Sequence, residues 1–338
     1  MDAKRTSIAV RWFLFTMAGA FFCFVGGCGG AGSANQGRHK VFRIAVIPKG
    51  TSHDFWYSVH AGARRADEEF DDVEITWSGP ESEANTARQI EIVEGFIANG
   101  YDAICLAPLD AVALRKPVEQ AMANGIPVVI FDSALADDGG IVSYVATNNY
   151  RGGTVAGNYL AKLLDAKGNV ILMRYAVNSE STEQREQGFL DTIKKHPDLK
   201  ILSSDKHGGP DEQSAIELAE NLLTDFGEQV DGIFCPNQST ASGTLTVLDR
   251  DTRGLAGKVK FVGFDSGEHI AQGLKSGTLY ATVLQDPVQM GYDAVRVAYE
   301  HLQGKEVPRR VEVPETLATR ENLDEPRIQA LLYPAADE

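Results

Sequence analysis

The sequence predicts an α/β fold of two similar domains, each a parallel sheet covered by helices on both faces. From Val41 onward, short apolar runs alternate with helical patterns, which is the βαβ rhythm of a parallel sheet. That rhythm restarts once near residue 150, so each half has the size of one domain. A chain of 338 residues is long enough for two cores, and it carries no short-period repeat of the solenoid kind.

Basic Lys4, Arg5 and Arg11 open the chain and precede an apolar run from Trp12 to Val25, which closes on Val25-Gly26-Gly27-Cys28. A charged start, a short apolar core and small residues before a cleavage point make an export signal, and this core is too short to span a bilayer. Small residues directly before a cysteine resemble a bacterial lipobox. Cleavage of residues 1–27 would leave Cys28 acylated at its sulfur and amino group, holding the rest on a membrane surface outside the cytoplasm. Cys23 is the weaker candidate, because Phe22 stands where a small residue is needed. An ordinary signal peptide cut nearby, or a retained anchor, is the other reading.

Residues 28–40 are mostly small, polar and aperiodic, as a flexible tether should be. Strands are then expected at 42–47, 73–77, 102–106, 127–131 and 141–145, with helices near 56–70, 83–98 and 111–123. After a helix near 150–164, strands follow at 169–174, 199–203, 231–235, 259–264 and 279–284. Helices near 181–195, 211–225, 239–250 and 267–275 separate them. A long helix at 287–303 precedes an end read as irregular.

Composition narrows the function. Formal charge is −15, and loss of residues 1–27, with one acid and three bases, leaves −17. No basic patch breaks this acidic background, so nucleic acid is excluded as a partner. Hydrophobic content of 43% is that of a globular protein. Cys105 and Cys235 lie in apolar runs of different predicted strands. They are expected as reduced, buried thiols, although an oxidising compartment would also permit a disulfide. Their spacing matches no metal site.

Ligands of open parallel sheets bind beyond the carboxyl ends of the strands. The residues there are Pro48-Lys49-Gly50-Thr51-Ser52-His53-Asp54-Phe55-Trp56, Asp132-Ser133, Asn237-Gln238, Asp265-Ser266 and Gln285-Asp286. A monosaccharide offers hydroxyls that both donate and accept, and two faces of C–H bonds. Phe55 and Trp56 could stack on such faces, with at least one ring in a cleft and the other a core anchor. Asp132 and Asp265 can each accept two hydroxyls, while Asn237 and Gln285 each present a donor and an acceptor. Taken singly, such residues are more often helix caps or turn formers.

At these residues the chain resembles the ribose-type periplasmic sugar-binding proteins, the substrate receptors of ATP-driven sugar importers. The resemblance covers nearly all of residues 41–322. It runs through Ser52-His53-Asp54-Phe55-Trp56, Ala123-Asn124-Gly125-Ile126-Pro127-Val128-Val129, Arg151-Gly152-Gly153, Arg185-Glu186-Gln187-Gly188-Phe189, Asn237, Val262-Gly263-Phe264-Asp265 and Gln285. It implies two Rossmann-like lobes joined by a three-segment hinge, with ligand in the cleft between them. The crossings should fall near Thr147-Asn148, Gln285-Asp286 and Pro314-Glu315. One lobe would be 41–147 plus 286–314 and the other 148–285 plus 315–322, with 323–338 a tail. It further implies that Asp132, Asn237, Asp265 and Gln285 contact ligand, that no cofactor or metal is needed, and that the protein acts as a monomer.

Departures from the family pattern bear on specificity. Ser133 and Glu183 stand where ribose receptors carry arginines, and Lys49 and His53 replace smaller polar residues. Arg185 aligns with another arginine of that segment, not with the ligand-binding one. Lys49 and Glu183 could pair across the cleft, bind ligand directly, or face solvent. Lysine here, with an acidic-Gln pair such as Glu183-Gln184, is also seen in relatives that bind other small polyols, rhamnose or quorum-signal sugars.

The leading expectation is therefore a lipid-tethered protein that captures a monosaccharide or polyol and delivers it to the permease of an ABC transporter. The alternative is a sensory receptor that docks on a membrane kinase or chemoreceptor. A repressor of the same fold would need a helix-turn-helix before Val41, where an export signal stands. An enzyme acting on sugars would need a positioned acid-base pair, for which only Asp132 with Asp265 qualifies. Gly152-Gly153-Thr154-Val155-Ala156-Gly157 lacks phosphate-loop spacing and reads as close helix packing.

Overall fold

A computed structural model describes residues 40–137 and 139–334. The expected signal, Cys28, nearly all of the tether and the end of the tail lie outside the described residues.

The first sheet contains β1 (Phe42–Ile47), β2 (Val73–Trp77), β3 (Ala103–Leu106), β4 (Val128–Phe131), β5 (Ser143–Thr147) and β11 (Arg310–Val313), in the order β2-β1-β3-β4-β5-β11, all parallel. β3 and β4 are buried at every position, as strands covered on both faces must be. The covering helices are α1 (Asp54–Glu69), α2 (Thr86–Ala98), α3 (Arg115–Ala123) and α9 (Pro287–Leu302). Two apolar clusters, one containing Val46, Trp56 and Phe131 and the other Ile47, Leu106 and Ile130, form this lobe's core.

The second sheet repeats the plan with β6 (Gly168–Leu172), β7 (Leu199–Ser203), β8 (Gly232–Phe234), β9 (Lys260–Phe264), β10 (Ala281–Leu284) and β12 (Thr316–Thr319), ordered β7-β6-β8-β9-β10-β12. Only β12 runs antiparallel, against β10 at the edge. The helices are α4 (Asn149–Leu163), α5 (Glu180–Ile193), α6 (Glu212–Asp225), α7 (Gln238–Arg250) and α8 (Glu268–Ser276), with α10 (Pro326–Leu332) packing its Ile328 and Leu332 into the same lobe's core. The chain passes between sheets after β5, after β10 and between β11 and β12.

The end is not irregular: it supplies an edge strand to each sheet and a final helix. Both strands are short and mix polar Arg310, Glu312, Thr316 and Thr319 into their apolar residues, so neither shows the apolar run of the central strands. Two helix starts also differ from expectation. Asn85 accepts the Arg88 N–H and starts α2 three residues late, while the Asp110 carboxylate accepts the N–H groups of Val112 and Ala113 and keeps residues 111–114 in a turn before α3.

Each lobe joins two helices through glycines. A Cβ on Gly62 of α1 would lie 1.9 Å from the Val288 carbonyl oxygen of α9, and one on Gly153 of α4 would lie 1.8 Å from the Arg185 carbonyl oxygen of α5. The Gly152-Gly153 segment thus serves close helix packing. Cys105 and Cys235 are free and buried; Cys105 sits in β3 and Cys235 directly follows β8. Burial raises both thiols, Cys235 to about 12, so neither is a nucleophile at neutral pH.

Candidate functional site

β4 and β9 occupy equivalent places in the two sheets, and each is followed by an aspartate in the left-handed region, Asp132 at φ 60° and Asp265 at φ 69°. Aspartate is among the few residues that tolerate this backbone. The two are held alike. Asp132 N–H donates to the Val145 carbonyl at 3.0 Å and Asp265 N–H to the Val283 carbonyl at 2.8 Å. Tyr144 and Thr282 then donate their hydroxyls to the aspartates' own carbonyls. Both side chains line one cavity of about 40 Å³ between the lobes.

Each carboxylate there has a cation. Lys49 Nζ, from the loop after β1, lies 3.3 Å from Asp132 and donates across the cleft to the Ser179 and Ser181 hydroxyls, each at 3.2 Å. Arg185, on α5, lies 3.7 Å from Asp265 and donates to Asn149 Oδ1 and the Pro236 carbonyl, with its guanidinium 3.9 Å over the Phe264 ring. Burial raises the Asp265 pKa despite the charge of Arg185 and the Gln285 hydrogen bond.

Glu83, in the loop after β2, is a third centre. It accepts Trp56 Nε1–H at 2.7 Å, lies 3.2 Å from His53 Nδ1, and accepts the Tyr175 hydroxyl from the other lobe at 2.5 Å. Burial opposes its charge, yet the His53 hydrogen bond, the charges of His53 and Lys49, and the Tyr175 hydroxyl together lower it to about 2. Burial likewise opposes a charge on His53 and is outweighed by Glu83, Asp54 and Asp265, so its pKa is raised. Tyr175 is braced from behind, since its N–H donates to Glu186, which also pairs with Arg174 at 2.5 Å.

The remaining lining supplies amides and rings. Gln285 Nε2 donates to Asp265 at 2.7 Å, and its buried Oε1 has no partner among the described residues. Asn237 caps α7 by accepting from Thr240 and also lines the cavity. Phe55 and Trp56 meet edge to face at 4.9 Å and both line the cavity, while Trp56 also packs on Phe131.

Two expected residues stand elsewhere. Ser133 is fully buried and uses its hydroxyl to accept the Ser181 N–H at 3.0 Å; it does not line the cavity. Glu183 is exposed and accepts the Asn178 N–H at 2.8 Å. The first turn of α5 points it outward and offers Ser181 and Thr182 instead, so no Lys49–Glu183 pair forms. Conversely, Arg185, Glu83 and Tyr175 line the cavity without having been expected there, and Gln238, flagged only as a strand-end residue, joins them. Glu83 and Tyr175 follow β2 and β6, so the same strand-end rule applies to them; reading a helix from residue 83 hid the first. A larger concavity of about 700 Å³, lined by Met122, Ile141, His301 and Arg309 among others, shares no residue with this cavity.

The lining has three carboxylates, partnered by Lys49, Arg185 and, when protonated, His53, plus amides, hydroxyls and rings. With its carboxylates held by these partners, such a site suits an uncharged, hydroxyl-rich molecule with apolar faces. Among the described residues no cluster of His, Cys, Asp or Glu could hold a metal ion. A cavity of about 40 Å³ has room for only a few waters, each needing about 10–15 Å³, so a sugar ring would enter with the lobes further apart.

Two α/β lobes, joined by three chain passages and closed over a polar cleft, define a bilobal ligand receptor. The chain belongs to the periplasmic binding protein family, whose periplasmic binding protein domain matches residues 44–306. It is similar to the D-ribose/D-allose-binding protein of Pseudomonas aeruginosa, at 30% identity over 82% of this chain and 88% of that one. It is also similar to an ABC transporter solute-binding protein of Agrobacterium vitis solved with D-fucose, at 32% identity, TM-score 0.82, and coverage of 86% and 100%. A carbohydrate transporter solute-binding protein of Agrobacterium radiobacter solved with D-arabinose gives 32%, 0.82, and coverage of 87% and 99%.

Proposed function

We propose that this chain is an extracytoplasmic solute-binding lipoprotein that captures an uncharged monosaccharide or related polyol in the interlobe cleft and delivers it to an ABC-type sugar importer. The observation that carries the reading is the matched pair Asp132 and Asp265, one from each lobe, turned by left-handed backbones into one cavity with Gln285 beside them. Relatives whose names or solved complexes specify ribose or allose, fucose and arabinose support the ligand class. The lobes would be 41–147 plus 286–314 and 148–285 plus 315–322, rotating about the three passages as ligand enters.

A thermal-shift screen of monosaccharides, polyols and nucleosides tests the ligand class, because a molecule that binds only the folded state raises the melting temperature. An uncharged sugar or polyol should give the largest rise, and a screen in which none shifts the melt would refute the reading. For the anchor, Cys28→Ser should release the protein from membranes or leave it uncleaved. A soluble wild-type protein starting at another residue would refute that part.

A further inference from the structure

Outside the inner cavity lies a second chamber of about 210 Å³, lined by Ser52 and Asp54 of one lobe and Glu212 and Ser242 of the other, with His53 and Gln238 common to both cavities. The shared wall is weakly held at Gln238. Its Nε2 reaches Asp54 at 3.4 Å, long for a hydrogen bond, and its buried Oε1 has no partner among the described residues. His53 keeps part of its ring exposed. The inner cavity alone is far below the roughly 300 Å³ at which small-molecule sites begin, whereas the two together, about 250 Å³, approach it.

The lining of this chamber is polar throughout. Hydroxyls, an amide and an imidazole can donate to and accept from a hydroxyl-bearing group. Asp54 and Glu212 disfavour a phosphate or carboxylate at the same place.

We propose that the outer chamber is a second subsite, which takes an uncharged polar substituent, the aglycone or second sugar of a glycoside, while the parent ring occupies the inner cleft. This rests on the monosaccharide-binding reading above. The substituent would displace the Gln238 side chain from Asp54 and give Gln238 Oε1 a donor. A free monosaccharide and its simple glycosides are then both ligands, and anionic derivatives are not.

The test is calorimetric titration of the purified protein with D-ribose, D-fucose, D-allose and D-galactose, each beside its 2-hydroxyethyl glycosides, whose terminal hydroxyl can donate. At least one glycoside of a bound sugar should keep affinity within about 10-fold of the free sugar, one RT ln 10 step of about 1.4 kcal/mol. In Ser52→Trp, which fills the chamber from an exposed position, that glycoside should weaken more than 10-fold while the free sugar changes little. Should that variant not fold, Glu212→Trp, also exposed, makes the same test. Loss of more than 10-fold for every glycoside, or equal weakening of free sugar and glycoside in the filled variant, would overturn it. Failure of every free sugar to bind would instead defeat the monosaccharide reading, and this inference with it.

Discussion

Lys49 is nearly fully buried between a carboxylate and two hydroxyls, and the cost of taking its charge from water is met only because Asp132 accompanies it. Removing one partner of such a pair typically destabilises by about 3–5 kcal/mol. Lys49→Met should therefore lower stability by that order in chemical denaturation, and Asp132→Asn added to it should recover part of the loss. If the single variant unfolds at the wild-type midpoint, the pair is not a buried ion pair. Glu83 makes a pH prediction. Its folded pKa of about 2 lies below the ordinary 4.5, so its ionisation stabilises the fold above pH 4.5, and that contribution is lost as pH falls through 2. The difference corresponds to on the order of 3 kcal/mol. His53 has the opposite sign: its raised pKa contributes fully below 6.5 and fades as pH rises through its folded value. Glu83→Gln should flatten the acid limb of melting temperature against pH between 4.5 and 2, and an unchanged limb would contradict the assignment. The aspartates were legible as residues after strands, and their family match strengthened them. Their left-handed backbone was not legible, since it arises from hydrogen bonds to neighbouring strands. Glu183 misled for a related reason: α5 begins so that Ser181 and Thr182 face the cleft, and one residue of helix phase decides which side chain points inward.

At the level of elements, the two glycine crossings set how closely helices approach. Gly153→Leu would drive its side chain into the Arg185 carbonyl, on the residue that lies beside Asp265. Overpacking of this kind costs typically 1–3 kcal/mol and sometimes more, so Gly153→Leu should lower stability by about 3 kcal/mol or more and weaken ligand binding through Arg185. Gly95 of α2 has open space around it, and Gly95→Ala should stabilise by about 0.5–1 kcal/mol. Calorimetric melts of both variants check the contrast, and similar melting temperatures would mean that the crossings are slack. Strand positions were readable because apolar runs in a sheet buried on both faces need no alternation. Helix starts at Asn85 and after Asp110 were not, because a polar side chain capping a turn resembles the first turn of a helix in periodicity. The edge strands β11 and β12 did not register because Arg310, Glu312, Thr316 and Thr319 break the apolar run that marks a central strand.

The whole molecule is held closed by bonds that cross the cleft: Lys49 to Ser179 and Ser181, Glu83 to Tyr175, Asn178 to Asp110, and the Ala134 N–H to Glu180. The two-lobe plan was legible because its βαβ rhythm restarts, whereas these latches depend on contacts between residues far apart in sequence. On the proposed function, ligand entry would break several of them and polar contacts to the ligand would replace them, tying affinity to the same residues that hold the lobes together. Ser133 and Glu183 extend no arginine fork into the cavity, so a ligand larger or richer in donors than ribose is expected. Calorimetric titration of wild type and Asp265→Ala with ribose, hexoses, deoxyhexoses and polyols tests this most directly. A hexose, deoxyhexose or polyol should bind more tightly than ribose, and Asp265→Ala should lose about 2–5 kcal/mol of that affinity, several tens-fold or more. Tightest binding by ribose would contradict the specificity, and affinity unchanged in Asp265→Ala would contradict the cleft itself.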